Sequence, residues 1–252
     1  MITAAKGIDI SSWQHPEGKP IDWAAVRASG VVFAIVKATQ GTGYTNPWLR
    51  EDLTAARKAG VLVGAYHYWE EGLEPTAQAE HFIASLVGEV LDLGAWLDFE
   101  PGPATPFIGG QFVTPFKAAV AGARGSCGLY CDESWAVQLR ADSVPLGRLW
   151  LAAWSGEPTG LSALITQGLA ETVPGVPAEC DTDAIANVRS LNLATAPPPP
   201  HPPAAKVEQV AETAGAAVVT GPLTDEQARE RFEGAEEEPE DPSSAAQAEP
   251  IT

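Results

Sequence analysis

Between residues 5 and 196, short apolar runs rich in β-branched and aromatic residues alternate with segments of helical period. Residues 7–10, 31–38, 61–68, 95–99, 128–130 and 149–154 read as buried strands. Residues 23–28, 47–59, 75–87, 112–123 and 134–139 read as helices. The punctuation agrees: Asn46 before Pro47 has the order of a cap followed by a first-turn proline. Gly30 and Gly60 stand where helix C-caps belong. Strand and helix in strict alternation imply parallel strands joined by helical crossovers. Six or more such units in about 190 residues predict an α/β fold, a (β/α) barrel or near-barrel. In that architecture functional groups gather at the C-terminal ends of the strands.

The alternation stops at residues 197–203, Pro-Pro-Pro-Pro-His-Pro-Pro, a run that favours extended polyproline II and acts as a semi-rigid spacer. The predicted organisation is therefore a catalytic domain over 1–196, a linker over 197–203 and a tail over 204–252. The tail's one aromatic residue is Phe232, and such a composition buries too little apolar surface to offset chain entropy. It is expected to be largely disordered, with one short helix possible on sequence grounds at 224–232. The net charge of −18 is concentrated there: residues 197–252 hold 3 basic and 12 acidic residues, against 12 and 21 before them. That balance argues against nucleic acid as a partner, because phosphate binding needs clustered Lys and Arg. No apolar run reaches the roughly 18 residues of a membrane span. The N-terminus lacks the basic start and apolar stretch of a signal peptide.

Carboxylates stand at the predicted strand ends. Asp9 ends the first strand, Asp98 and Glu100 the fourth, and a late strand-like segment, 178–185, carries Asp181 and Asp183. Residues i and i+2 of a strand share a face at roughly 6–7 Å. Asp98 and Glu100 should therefore each raise the other's pKa, so that one stays protonated near neutrality. A protonated acid beside an ionised one is what glycosidic cleavage requires. The triplet alone is common and weak evidence. Its setting is better: Trp96-Leu97 before it and Pro101-Gly102-Pro103 after it indicate a buried strand delivering acids into a rigid loop. Aromatics crowd the same rim, with Tyr44 after strand two, Tyr66, Tyr68 and Trp69 on strand three, Tyr130 on strand five and Trp154 on strand six. Together they suit sugar, whose apolar ring faces pack on aromatic surfaces.

Other chemistries find less support. His67 alternates with Tyr66 and Tyr68 and should point away from them as a packed residue, while His15 and His81 have no partner spacing. Cys127, Cys131 and Cys180 give no disulfide framework and read as reduced and structural. No His or Cys pattern has metal-ligand spacing, so no metal or cofactor is expected. Ser11 and Ser12 lack the glycine context of an esterase nucleophile.

Seven blocks in order carry a family resemblance over roughly residues 5–192. Gly7-Ile8-Asp9-Ile10-Ser11-Ser12-Trp13-Gln14 resembles the opening of glycoside hydrolase family 25, the Chalaropsis-type lysozymes. Residues 36–47, Gly64-Ala65-Tyr66-His67-Tyr68, Leu97-Asp98-Phe99-Glu100, Gly128-Leu129-Tyr130, Leu149-Trp150-Leu151-Ala152 and Cys180-Asp181-Thr182-Asp183 resemble its later blocks. The resemblance implies a flattened (β/α) barrel resembling a TIM barrel, and hydrolysis of the β-1,4 bond between N-acetylmuramic acid and N-acetylglucosamine in bacterial peptidoglycan. It implies Glu100 as general acid. Asp98 would support the oxocarbenium-like centre or orient the substrate's 2-acetamido group as internal nucleophile. Asp9 and Asp181 would complete an acidic floor, with Lys37, Tyr44, Tyr66 and Trp154 as subsite residues. Three departures stand out: Gln40 occupies a position where the family usually has Glu, Trp154 one where Tyr is common, and Gly168 one where an aromatic is common. Altered subsites are expected before lost catalysis. Delivery as a phage endolysin, or on a virion through the acidic tail, fits a wall-degrading enzyme without a signal peptide. The alternative is a catalytically weak glycan-binding or structural module on the same fold.

Overall fold

The computed structural model describes residues 4–101, 109–152 and 161–185. The strands are β1 (Ala5–Ile10), β2 (Val31–Gln40), β3 (Tyr44–Thr45), β4 (Leu62–Tyr68), β5 (Gly94–Asp98), β6 (Cys127–Asp132), β7 (Leu149–Ala152), β8 (Ile165–Glu171) and β9 (Cys180–Ile185). The helices are α1 (Trp23–Ala28), α2 (Leu49–Lys58), α3 (Pro75–Ser85), α4 (Gly109–Arg124) and α5 (Glu133–Ala141). Eight strands close a barrel in the order β1-β9-β8-β7-β6-β5-β4-β2, with β2 pairing back to β1 and β3 appended to β2 as a hairpin. The linker, the tail, its short helix and Trp154 lie outside the described residues.

The expected parallel ladder runs from β1 through β2, β4, β5, β6 and β7 to β8. It fails at β9, which is antiparallel to both neighbours. The eight residues between β8 and β9 are too few for a helical crossover, and a short connection reverses the chain. This corrects the expectation for Asp181: it stands near the beginning of its strand, not the end, and reaches the rim because that strand is inverted. The sequence pattern also missed β8. Of its residues only Ile165 and Gln167 are buried, and Leu169 points to solvent, so no apolar run marks it.

The helix punctuation holds at Gly30 and Gly60, whose φ values of 98° and 79° are the left-handed conformation that ends α1 and α2. It fails at Asn46. Helix α2 starts three residues later, and Asn46 accepts from the Trp48 amide at 3.0 Å while donating to the Lys37 carbonyl at 2.8 Å. It pins the loop after β2 to the barrel instead of capping a helix. Among the described residues no helix is long and apolar enough to cross a membrane.

Strands covered on both faces divide their side chains by the period of two. Outward residues such as Leu97, Phe99 and Leu129 join Phe82, Phe112 and Phe116 from the helices in one apolar layer. Inward residues Phe33, Ile35, Trp96, Trp150, Ile165 and Ile185 fill the lower barrel. Glycines make room for these rings: a Cβ on Gly7 would land on the ring of Phe33, and one on Gly128 on the ring of Trp96. Trp96 cannot step aside, because its Nε1 donates to the Leu93 carbonyl at 3.1 Å and the Arg148 guanidinium covers its ring at 4.7 Å. Gly128→Ala is therefore expected to destabilise the barrel by about 1–3 kcal/mol, the range of core overpacking. Thermal melting checks this; an unchanged Tm would contradict the placement of Trp96. The plugged lower half leaves the upper barrel as the place for a site.

Candidate active site

Two residues above each floor glycine stands a polar group. Gly7 is followed by Asp9 on β1, Gly64 by Tyr66 on β4 and Gly128 by Tyr130 on β6. Cross-strand register aligns Tyr68, Asp98 and Tyr130 in one row and Lys37, Tyr66 and Trp96 in the row below. Strand β2 carries a bulge between Lys37 and Thr39, which shifts the following residues by one. Lys37 and Gln40 consequently face inward together, and the Lys37 ammonium donates to the Gln40 side-chain carbonyl at 2.8 Å. Thr39 faces outward and contacts His67 at 2.8 Å.

The mouth of the barrel thus collects Asp9, Lys37, Tyr66, Asp98, Glu100, Tyr130 and Asp181 in mutual electrostatic reach. Tyr44 lies beside them. Its ring is 5.8 Å from the Lys37 ammonium, its hydroxyl is 2.8 Å from Ser12 Oγ, and its carbonyl is 2.9 Å from His81 Nε2. Tyr68 is nearer, with the ammonium 4.5 Å above its ring. Trp154 alone of the expected site residues lies outside the described residues. His67 is buried in the helical layer against Phe82 and Phe116, as its alternation predicted. His15, which showed no partner spacing, is buried under the loop after β1, 2.9 Å from Asp52 and stacked on Trp48.

Two further residues belong to the site. Gln167, on the strand that the pattern missed, donates to Asp9 Oδ2 at 2.8 Å and Asp181 Oδ2 at 3.4 Å, and accepts the Tyr130 hydroxyl at 2.7 Å. Asp183 was visible in sequence, but its role needed the register. It lies deeper than Asp181, with one oxygen accepting the Trp150 indole at 2.8 Å and the other buried without a partner among the described residues.

Five carboxyl groups around one ammonium in an apolar barrel cannot all ionise. Burial, then the neighbouring Asp181, raises the Asp9 pKa to about 8. Burial raises Glu100 to about 7 against the opposing pull of Tyr130 and Lys37. Asp98 and Asp183 are held well above the usual carboxylate range, again by burial first, then by Glu100 and Asp9 respectively. Lys37 is lowered to about 8 by burial, although Asp98, Glu100 and Glu70 oppose the shift. Carboxyl pKa values raised on folding mean that the folded state holds extra protons. Stability from these groups is full below the unfolded carboxylate range near 4 and is lost as pH rises towards about 8. Asp9→Asn, whose side chain can still accept from Gln167, is accordingly expected to raise Tm at pH 8 and to change it little at pH 4. A larger gain at pH 4 in calorimetry would contradict a strained, buried carboxyl at position 9.

The family model for glycosyl hydrolases family 25 matches residues 8–167. Lysozyme M1 of Streptomyces globisporus is 34% identical over 119 residues, 46% of this chain and 39% of that protein. The N,O-diacetylmuramidase of Chalaropsis sp is 36% identical over 109 residues, 40% of this chain and 49% of that protein. The chain therefore aligns with less than half the length of either. The crystal structure of the bacterial lysozyme from Streptomyces coelicolor superposes with a TM-score of 0.65 at 26% identity, covering 77% of this chain and 98% of that one.

Proposed function

The chain belongs to glycosyl hydrolases family 25, and on that premise we propose that it hydrolyses the β-1,4 bond between N-acetylmuramic acid and N-acetylglucosamine in peptidoglycan. The observation that carries the reading is the Asp98–Glu100 pair at the open end of a closed barrel, coupled to each other and to Lys37.

Glu100 is the general acid. It is the less buried of the pair, and a pKa raised to about 7 leaves it a large protonated fraction near neutrality. Its proton passes to the glycosidic oxygen as the bond from that oxygen to the anomeric carbon breaks. Positive charge develops at the anomeric carbon, and Asp98 stabilises it or orients the substrate's 2-acetamido group for internal attack. A water molecule then adds to the anomeric carbon, and its proton returns to the Glu100 carboxylate. Asp9 and Asp181 offer acceptors to sugar hydroxyls, while Tyr66, Tyr130 and Tyr44 give the ring faces a surface to pack on. Trp154 is assigned a sugar-binding role on the family resemblance alone. Gln40 keeps Lys37 in place without cancelling its charge, so the ammonium's compensating charge comes from the reacting carboxylates and Glu70.

For delivery, the reading is a phage lysin, released at host lysis or carried on a virion. Its support is the composition of residues 197–252, a proline-rich spacer leading into an acidic segment suited to attachment. The hydrolytic activity is tested by incubating the protein with purified, insoluble peptidoglycan. Release of soluble fragments with new reducing ends is expected. Binding to the wall without any release would overturn the hydrolase in favour of a glycan-binding module.

A further inference from the structure

Two tyrosines of the barrel mouth share one support. The Trp150 ring lies 4.6 Å from the Tyr130 ring at 58° and 6.1 Å from the Tyr66 ring at 77°. Tyr130 is its register neighbour on β6, whereas Tyr66 stands on β4, beyond β5. Trp150 therefore reaches across the barrel, and its position bears on where both rings lie. It also meets Trp96 edge to face at 6.0 Å, and Trp96 is itself fixed by Leu93 and Arg148.

Packing alone leaves the indole two orientations, because a ring turned over about its Cβ–Cγ bond fills nearly the same slot. The N–H distinguishes them. Trp150 is fully buried, and the residues clustered with it, Phe33, Ile165 and Ile185 among them, have no side-chain acceptor. Its Nε1 donates to Asp183 Oδ1 at 2.8 Å, and the direction is unambiguous because an indole nitrogen only donates. The bond crosses β8: Asp183 pairs with Gln167, Gln167 pairs with Ala152, and Trp150 lies two residues before Ala152 on β7. Turning the indole over would take a buried N–H off its acceptor. As a mere filler Asp183 is a poor choice. Its second oxygen has no partner among the described residues, and burial, then Asp9, opposes its ionisation. An acceptor aimed at Trp150 accounts for its presence.

We infer that Asp183 is a positioning residue for glycan binding: by accepting the Trp150 indole hydrogen it fixes the orientation of that ring, and through it the sugar-facing surface of Tyr66 and Tyr130. The inference rests on Tyr66 and Tyr130 as sugar-contacting residues of the proposed reaction. Asp183 itself touches no substrate. Its effect passes through one hydrogen bond and two ring contacts that join β9 to β7, β6 and β4.

The test reads ring position and glycan affinity separately. Full-length protein carries 15N-labelled tryptophan and 13C-labelled tyrosine rings, and the NMR signals are identified by their loss in Trp150→Phe, Tyr66→Phe and Tyr130→Phe. Affinity is measured by calorimetry with a soluble tetrasaccharide of alternating N-acetylglucosamine and N-acetylmuramic acid, in a Glu100→Gln background so that the probe stays intact. Asp183→Leu keeps the volume and removes the acceptor. The Trp150 N–H signal is expected to shift and lose exchange protection, the Tyr66 and Tyr130 signals to move, and the affinity to fall about tenfold. Asp183→Asn keeps an acceptor and should stay close to native in all three. In a Trp150→Phe background, Asp183→Leu should cost little further affinity, because the effect runs through the indole. If Asp183→Leu does not fold, Trp150→Phe alone should move the tyrosine signals and weaken binding. Unmoved tyrosine signals, native affinity in Asp183→Leu, an equal loss in Asp183→Asn, or an equal further loss with Phe at 150 would each overturn the inference. Failure of the unaltered mouth to bind the tetrasaccharide would overturn it together with the sugar-contacting roles of the tyrosines. Release from peptidoglycan is recorded in parallel. A chain that shows these shifts yet releases nothing would sink the hydrolase reading alone, and an active one whose tyrosines ignore Asp183 would sink the inference alone.

Discussion

Glu100→Gln is expected to lower turnover on peptidoglycan by about 10²–10⁴-fold, the usual contribution of a positioned general acid, while Tm stays level or rises. The amide matches the carboxyl in shape and can still bond Tyr130, but it has no proton to give. It also removes one group whose ionised form is costly in the barrel, so the fold should not suffer. The pH dependence gives a second readout. With the Glu100 pKa raised to about 7, the native enzyme loses its acid form, and its kcat/KM, as pH rises through about 7. In the variant that alkaline limb should disappear from the residual activity. Near-native turnover would show that the proton comes from another group.

Asp98→Asn is the second large effect. Asp98 has one side-chain oxygen buried without a partner among the described residues, at the height where Tyr68 and Tyr130 flank it. Such an oxygen is poorly served in the resting protein, and the proposed reaction gives it work as positive charge develops at the anomeric carbon. Removing one preorganised electrostatic stabiliser typically costs about 10²–10³-fold in kcat, and that loss is expected here with KM little changed. Asn should simultaneously raise Tm, because it relieves the burial that pushes Asp98 far above the usual carboxylate range. A variant both less active and more stable would mark Asp98 as kept for chemistry. A variant less stable with native kcat would mark it as structural.

The sequence was legible where chemistry and period coincide. Helix α1 is found at the predicted residues, and the period of two separated Asp98 and Glu100 from Phe99 and Tyr66 from His67 as the structure does. The ordered blocks located Asp9, Lys37, Tyr130 and Asp181 at one barrel mouth. What stayed hidden depends on pairing between distant segments. Strand β8 lacks an apolar run because half of it is exposed, so Gln167 could not be placed opposite Asp9 and Tyr130. The inversion of β9 follows from a short connection whose geometry no local pattern encodes. The bulge that turns Gln40 onto Lys37 is likewise a matter of register, and so is the loop role of Asn46. Propensity reads a segment, whereas these features are set by its neighbours.

Cleavage at N-acetylmuramic acid rather than at N-acetylglucosamine is read from the identity of the newly formed reducing end. Purified peptidoglycan is digested with the full-length protein, the soluble fragments are reduced with borohydride, and the reduced sugar is identified by mass spectrometry. Reduced N-acetylmuramic acid is expected, and its absence after Glu100→Gln. Reduced N-acetylglucosamine at the new ends would contradict it.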